Sequence, residues 1–573
     1  MPMRKIRQFL FLMFIIALFS ITVVGESSDM NSITGGVVPH HLLAKEIIED
    51  FFEFVSKQQH PETIILFSPD HFNCSALKAD NSFISVDWEK GFIELEGVSV
   101  NTELLKRLAI TNNILSDRNA VIAEFGITNL LPFIKKYLPE TKIIPVLIPE
   151  NVSREQLNQL ASTIEMFSPA NTLLVASVDF SHYLPAEAAK FHDLKSIRVL
   201  LNFEEEEFEN IEVDSWQALY LVRLFAGLRG CEYPTAIARK NSVDFIQHDF
   251  DSTTSYFSVV FQKGETGNNI KTETILFCGD MMFDRGIEKL VKENSIYYPF
   301  QEIVQLLRGV DIVFANLEGP VVENPPKFSG DVLKFYFHPN VLEGVKWSRI
   351  NLLSLANNHV ADLGKEGLEE TKSRLQEYRI NFVGSPFSVF PGKNNSLFYS
   401  EQSVFLAFNR ILPYVDYHEE ITKEVQKARQ ANPGKIIIVS MHWGNEYEFT
   451  SSNTQRDLAC RIITAGADVI VGHHPHVVQE IELIHGKPVF YSLGNFIFDQ
   501  QFLPETKEGL AVGLNISTDK LAFRLFPIKN QEGKPILMTQ IEAELFLKNL
   551  AEKSDKRLWE AIKKGIIELK LIK

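Results

Sequence analysis

Val469-Ile470-Val471-Gly472-His473-His474-Pro475-His476 is a short apolar run that stops on a glycine and then carries three histidines within four positions. In α/β folds, ligands gather at the carboxyl ends of strands, and this stretch reads as such an end. The same unit recurs along the second half of the chain. Thr274–Phe277 runs into Cys278-Gly279-Asp280, Ile312–Ala315 into Asn316-Leu317-Glu318-Gly319, and Asn351–Leu355 into Ala356-Asn357-Asn358-His359. Ile436–Ser440 runs into Met441-His442-Trp443-Gly444, and Val489–Leu493 into Gly494-Asn495-Phe496. A further run, Phe405–Phe408, completes the set. Helical stretches such as Pro299–Leu307 and Leu368–Tyr378 lie between several runs, so periodicity alone points to βαβ units and a mainly parallel sheet.

A lone His or a single Gly-Asp carries no information. Here five of the 15 histidines (His359, His442, His473, His474 and His476) fall in these strand-end motifs. Packing accounts for one of them, not for the set. Asp, Glu, Asn and His form a mixed oxygen and imidazole donor set, which suits Zn, Mn or Fe rather than a thiolate site. Six strand ends can supply the roughly six to eight ligands of a two-metal centre, which clamps and polarises phosphoryl-type oxygens. Only two of the three clustered histidines readily point into one site, which makes His473 the candidate for a structural role.

Working outward, residues 32–262 show the same alternation. Thr63–Phe67, Ile143–Leu147 and Leu173–Ser177 read as strands, and Val152–Phe167 as an amphipathic helix. Between the halves, Lys263–Lys271 is polar, contains glycine and lacks an apolar period, which makes it a linker. The C-terminal segment from about 530 to 573 reads as a largely helical tail.

The 573 residues exceed one ordinary domain, and 45% hydrophobic against 23% charged residues is a globular composition. A formal charge of -16, with no basic run beyond the first few residues, argues against nucleic acid as a partner. The 44 phenylalanines favour large cores. Arg4, Lys5 and Arg7 precede an apolar run, Phe9–Val24, and small residues follow. These are the parts of an export signal over residues 1–25. An uncleaved membrane anchor at 9–24 is the alternative, and either reading puts the protein in the periplasm or outside the cell. Cys74, Cys231, Cys278 and Cys460 are scattered without CxxC pairing, so buried free thiols are expected.

Gly279-Asp280, Asn316-Leu317-Glu318, Asn357-Asn358-His359, His442-Trp443-Gly444-Asn445-Glu446, Gly472-His473-His474-Pro475-His476 and Ser492-Leu493-Gly494-Asn495-Phe496 occur in order. Together they make residues 272–529 resemble the bacterial CapA capsule-synthesis family, also called the poly-γ-glutamate (PgsA-like) family, which is similar to calcineurin-like metallophosphoesterases. The resemblance implies an α/β fold of αββα sandwich type and a binuclear site for Mn, Fe or Zn. It implies that Asp280, Asn358, His442, His474 and His476 hold metal. It implies that Glu318 is a metal- or water-orienting carboxylate, and that His359 is a general acid or phosphate contact, with Asn358 beside it in the catalytic group. Asn316, Asn357, His473 and Asn495 would contact substrate or support the ligands. The implied partners are a cell-envelope polymer or a phosphorylated small molecule, and membrane-bound capsule machinery. The enzyme reading stands beside two others: a non-catalytic polymer assembly or binding protein, and a redox activity in the first domain. One departure matters. Ordinary phosphoesterases open with Asp-x-His, and here position 282 is Met.

In the first half, Gly35–His41, Ser68-Pro69-Asp70-His71-Phe72 and Asp179-Phe180-Ser181-His182-Tyr183 resemble the Memo family, related in fold to extradiol dioxygenases. That resemblance implies an α/β domain with a pocket for iron or copper at His40, His71 and His182, with Asp179 beside them. The family's Glu-His-Ser is Glu124-Phe125-Gly126 here, ahead of Leu131-Pro132-Phe133. Phe125 cannot bind a metal or donate a proton, so a pocket histidine is missing.

Overall fold

The computed structural model describes residues 32–74, 82–89, 91, 93–246, 251–264, 269–325, 334–387, 397–411 and 418–571. The expected export segment, residues 1–25, and the centre of the expected linker lie outside the described residues. Among the described residues, no helix is long and apolar enough to cross a membrane. The chain divides into two compact units, 1–270 and 271–573. Asn202 fixes the end of the first, its side-chain amide donating to the Ile270 carbonyl and accepting from the Ile270 N–H, both at 2.9 Å.

The first unit is built on a nine-stranded sheet. Ile33–Val38, Thr172–Ser177, Thr63–Pro69 and Lys142–Ile148 lie side by side and parallel. Every residue of the first three is buried, as expected of strands covered on both faces. Helix Lys45–Gln58 buries Ile47, Ile48, Phe51, Phe52 and Val55. The helix lies so close to the sheet that a Cβ on Gly36 would stand 2.4 Å from the Phe51 ring. Helix Arg154–Phe167 starts at a Ser153–Gln156 capping box, and Leu157, Leu160, Ala161 and Ile164 form its buried stripe at helical spacing. Antiparallel Thr253–Gln262 pairs with both Ile33–Val38 and Phe180–Leu184, bringing the Pro39–His41 and Phe180–Tyr183 segments into one region.

The second unit departs from the plain parallel sheet that periodicity suggests. Two sheets stack. In the nine-stranded sheet, Asn381–Val383, Leu352–Ser354, Ile312–Leu317 and Glu273–Met281 run parallel. Glu508–Ile516 and Lys520–Gln531 then continue it antiparallel. In the six-stranded sheet, Ser403–Asn409, Ile436–His442, Val469–His473 and Lys487–Phe490 are parallel. Alternate residues divide between two cores. Ile275, Phe277, Phe314 and Leu352 from one sheet pack with Phe405, Ile438, Val469 and Val471 from the other. The intervening Leu406, Phe408, Ile437 and Val439 pack on helices His418–Ala431 and Asn453–Thr464. Both faces of each run are apolar, so the alternation that assigns them to different cores is invisible in the sequence. Helices Arg285–Glu293, Val341–Trp347 and Gly364–Glu377 connect strands of the nine-stranded sheet, giving the αββα architecture.

Residues 530–571 hold the expected helices, Gln540–Lys553 and Trp559–Lys563, but also two strands. Lys534–Leu537 and Ile566–Lys570 each pair antiparallel with Lys520–Gln531. Leu547, Leu550, Ile562 and Ile567 join the inter-sheet core. Of the four cysteines, which are all free, Cys231 and Cys278 are buried. Cys460 is exposed and Cys74 half-buried, so only two meet the expectation of buried thiols.

Candidate metal centre

Strand register assembles the site. Asp280 lies between Asn316 and Asn495 on the neighbouring parallel strands, and His442 lies between Asn409 and His473. Close approach at these strand ends demands glycine. A Cβ on Gly279 would meet the Gly494 carbonyl at 2.0 Å, and one on Gly472 would meet the Tyr491 carbonyl at 1.9 Å. The histidine loop is held in a strained form, with φ of 96° at His474 and 58° at His476, a backbone region that non-glycine residues rarely occupy. Such outliers cluster where function requires them.

Asp280 is fully buried and held from several sides. Asn316 Nδ2 donates to its Oδ1 at 2.8 Å, and the His474 N–H donates to its Oδ2 at 3.2 Å. His473 Nδ1 stands 3.2 Å from Oδ1 and His476 Nδ1 3.4 Å from Oδ2. Burial alone would raise the Asp280 pKa, but hydrogen bonds from His473 and His476 outweigh it and hold the carboxyl well below the usual range. Glu318 is the opposite case. Both of its oxygens are buried and without a hydrogen-bond partner among the described residues. Burial pushes its pKa up to about 7, with the Asp280 charge adding to the rise. His476 rises to about 9, because Glu318 and Asp280 together overcome its burial. His474 falls to about 3 through burial and the neighbouring His476. Burial and His474 likewise push His442 well below its ordinary value.

These residues fit a cation. A buried carboxylate with no donor is costly, and Glu318 Oε1 stands 3.8 Å from His476 Nε2 and 3.9 Å from His442 Nε2. Metal–ligand bonds of about 2.0–2.2 Å place two ligands of one ion at roughly this separation. Three groups have their ligand atoms within 4.8 Å of one another: Glu318–His442–His474, Asp280–Glu318–His476 and Glu446–His474–His476. Glu318 is common to the first two. Asn358 stands with the first, its Oδ1 2.7 Å from His442 Nε2.

The remaining candidates take distinct places. Asn316 and Asn495 orient ligands, Asn316 through Asp280 and Asn495 through His476 Nδ1 at 2.9 Å. Asn357 is saturated: it donates to Asn316 Oδ1 and the Leu317 carbonyl and accepts from the His359 and Val360 N–H groups. It is a brace rather than a ligand. His473 lies beside the Phe314 ring and has no place in the three groups. His359 is aimed by a residue the sequence reading missed: its Nδ1 is 3.0 Å from Asp362 Oδ2, which also accepts the Phe335 N–H. Glu446, four residues after His442, joins the third group without any signal of a ligand role in the sequence beyond that spacing.

In the first unit, His40 Nε2 stands 3.5 Å from Asp179 Oδ2 and 3.4 Å from Asp214 Oδ2, while His71 Nε2 is 3.8 Å from Asp214 Oδ2. His71 Nδ1 pairs with buried Glu124 at 2.7 Å. Against the effect of burial, Asp214 and Glu124 raise the His71 pKa to about 9. Two groups could hold a metal, His40–His71–Asp214 and Asp179–His182–Asp214. His182 therefore does not share a group with His40 and His71. Asp214, unforeseen in the sequence, belongs to both. Its Oδ1 is buried without a hydrogen-bond partner among the described residues. Phe125 stacks on His71 at 4.2 Å between ring centroids and meets His40 edge-on at 5.2 Å, so it lies against the candidate pocket.

Residues 274–389 and 391–500 match the family described as bacterial capsule synthesis protein PGA_cap, and residues 15–218 match Memo-like protein. The chain joins a Memo-like domain to a PGA_cap domain. The PGA biosynthesis protein CapA of Bacillus subtilis (strain 168) is 29% identical over 281 residues, covering 45% of this chain and 72% of that protein. The capsule biosynthesis protein CapA of Bacillus anthracis is 28% identical over 324 residues, covering 52% and 77%. A MEMO1 family protein of Caldivirga maquilingensis is 25% identical over 200 residues, covering 33% and 69%. The PGA_cap domain thus stands with the capsule and poly-γ-glutamate synthesis proteins; of the ligand groups just described, three lie in it and two in the Memo-like domain.

Proposed function

We propose that the PGA_cap domain is a metal-dependent, phosphoesterase-like hydrolase. We place it outside the cytoplasm, acting on a cell-envelope polymer or its phosphorylated precursor beside membrane-bound capsule machinery. The observation that carries this reading is Glu318, a fully buried carboxylate with both oxygens unpaired among the described residues and two ligand histidines just beyond hydrogen-bond distance. Asp280, Glu318, Asn358, His442, His474 and His476 would hold two divalent ions, Mn, Fe or Zn. Such ions would polarise a phosphoryl-type oxygen and make a water acidic enough to attack near neutral pH. The chain's own residues do the rest. Asn316 and Asn495 fix the orientation of Asp280 and His476. Asp362 holds the His359 Nδ1 proton, leaving Nε2 as the atom that exchanges a proton with a leaving oxygen. The motif at residues 1–25 supports export.

The test is elemental analysis of the purified protein beside an Asp280→Ala/His476→Ala variant, followed by hydrolysis assays on phosphomonoesters, phosphodiesters and poly-γ-glutamate. About two equivalents of metal, lost together with hydrolysis in the variant, are expected. A protein that takes up no metal after reconstitution overturns the reading.

Two further readings each rest on an observation. Met282, where phosphoesterases carry a ligand histidine, favours a polymer assembly or binding protein that keeps the fold without hydrolysis. In the Memo-like domain, His40, His71 and Asp214 form the two-histidine, one-carboxylate set typical of non-haem iron. This favours iron over copper there and a metal-dependent redox role. An isolated redox role fails if the full-length protein binds neither metal at that pocket.

A further inference from the structure

The three ligand groups of the PGA_cap domain are unequal. Glu318, His442 and His474, with Asn358 beside them, supply four donors from four strand ends. Asp280, Glu318 and His476 supply only three, and the position from which a fourth would be expected is Met282. Met282 is buried, and its sulfur accepts the Asp284 N–H at 3.0 Å. A thioether suits soft ions such as Cu(I) rather than ions held by carboxylate and imidazole.

The loop after strand Ile436–His442 brings a substitute. The Trp443 N–H donates to the His473 carbonyl at 3.1 Å, and the Tyr447 N–H donates to the Pro475 carbonyl at 2.9 Å. The two bonds tie the loop to the histidine segment on either side of Glu446. The loop turns through Gly444 at φ 88° and Tyr447 at φ 62°, the second a costly conformation for a residue with a side chain. As a result a Glu446 carboxylate oxygen lies within 4.8 Å of ligand nitrogens on both His474 and His476. His474 is itself nine-tenths buried, and its Nδ1 has no hydrogen-bond partner among the described residues. Unlike Asp280 and Glu318, Glu446 is exposed and approaches from the solvent side.

We propose that Glu446 is a metal ligand that completes the three-donor Asp280–Glu318–His476 group in place of residue 282. Lying near His474 and His476 alike, it would add a second carboxylate within reach of both groups. The inference rests on the metal-centre reading above and deepens it.

The experiment is Mn²⁺ titration of the full-length protein by calorimetry, with elemental analysis after desalting. It compares the unsubstituted protein, Glu446→Gln and Glu448→Gln, an exposed change in the same loop. Thermal unfolding checks that each variant is folded. Two Mn²⁺ in the parent and in Glu448→Gln are expected. In Glu446→Gln, one site should be kept and the other weakened at least roughly tenfold. Two undiminished sites in Glu446→Gln overturn the proposal and leave the metal centre standing. So does a single parental site that Glu446→Gln leaves intact and His442→Ala removes. No Mn²⁺ binding in the parent overturns both.

Discussion

Each domain holds a histidine between two carboxylates, and the two pockets are built differently. In the PGA_cap domain, His476 sits between Asp280 and Glu318, fully buried, with Asn495 fixing its ring. In the Memo-like domain, His71 sits between Glu124 and Asp214, partly open to solvent, with Phe125 stacked on its face. The carboxylates raise both histidines to about 9. The electrostatics are alike, but the ligand supply is not. In the first pocket nearly every strand end carries a donor. In the second, an aromatic ring, Phe125, packs on two histidines, and an acid from another loop, Asp214, stands in the pocket. An incomplete motif therefore does not imply an empty pocket.

The comparison breaks most sharply if the pockets are not independent. Asp280→Ala with His476→Ala should remove metal from the PGA_cap domain and lower hydrolysis by more than about 100-fold, because ligand and nucleophile activation go together. His40→Ala should leave that metal in place. Site-resolved metal analysis of both variants checks this, and loss of PGA_cap metal in His40→Ala would show that the pockets are coupled.

The pH dependence sharpens it next. A histidine with pKa raised from about 6.5 to about 9 in the folded protein contributes stability that is fully present below pH 6.5. That contribution is lost as pH rises through 9. In metal-free protein both domains should therefore lose thermal stability across this window. Metal requires neutral histidines, so Mn²⁺ should reverse the trend for the PGA_cap domain. Unfolding scans from pH 6 to 9.5, with and without Mn²⁺, read the two slopes.

Phe125→His should raise Fe(II) affinity in the Memo-like domain by about tenfold, the effect of one added donor being offset by the cost of repacking against His71. Unchanged iron uptake would mean that Asp214 already completes the set. The smallest effect uses a matched pair of capping boxes, Ser153–Gln156 and Ser452–Gln455. Either Ser→Ala should cost about 1 kcal/mol. Only Ser452→Ala should also weaken metal binding. Gln455 packs under Gly444 and bonds Gln479, which in turn holds the Glu448 carbonyl of the Glu446 loop.

What was legible in the sequence follows from this geometry. Asp280, Glu318, His442, His474 and His476 each end or follow an apolar run, and the period of a strand fixes where such a run delivers its last side chain. Asp214 follows no apolar run, and Glu446 lies six residues beyond one. Their placement depends on which loops the parallel strands bring side by side. The sandwich was hidden because runs such as Ile436–Ser440 are apolar on both faces. The closing strand Ile566–Lys570 was hidden because five residues after a helix carry too little period to separate strand from helix.

The central strand Glu273–Met281 is seated between Ile312–Leu317 and the distant Glu508–Ile516. Pairings so far apart along the chain form slowly. A nascent polypeptide that has emerged as far as Asn495 already carries every candidate ligand, yet lacks the neighbour of residues 273–277, the part of the strand that leads into Asp280. Its acids and histidines meet cations before the pocket exists, and selection of the metal falls to the last step of folding.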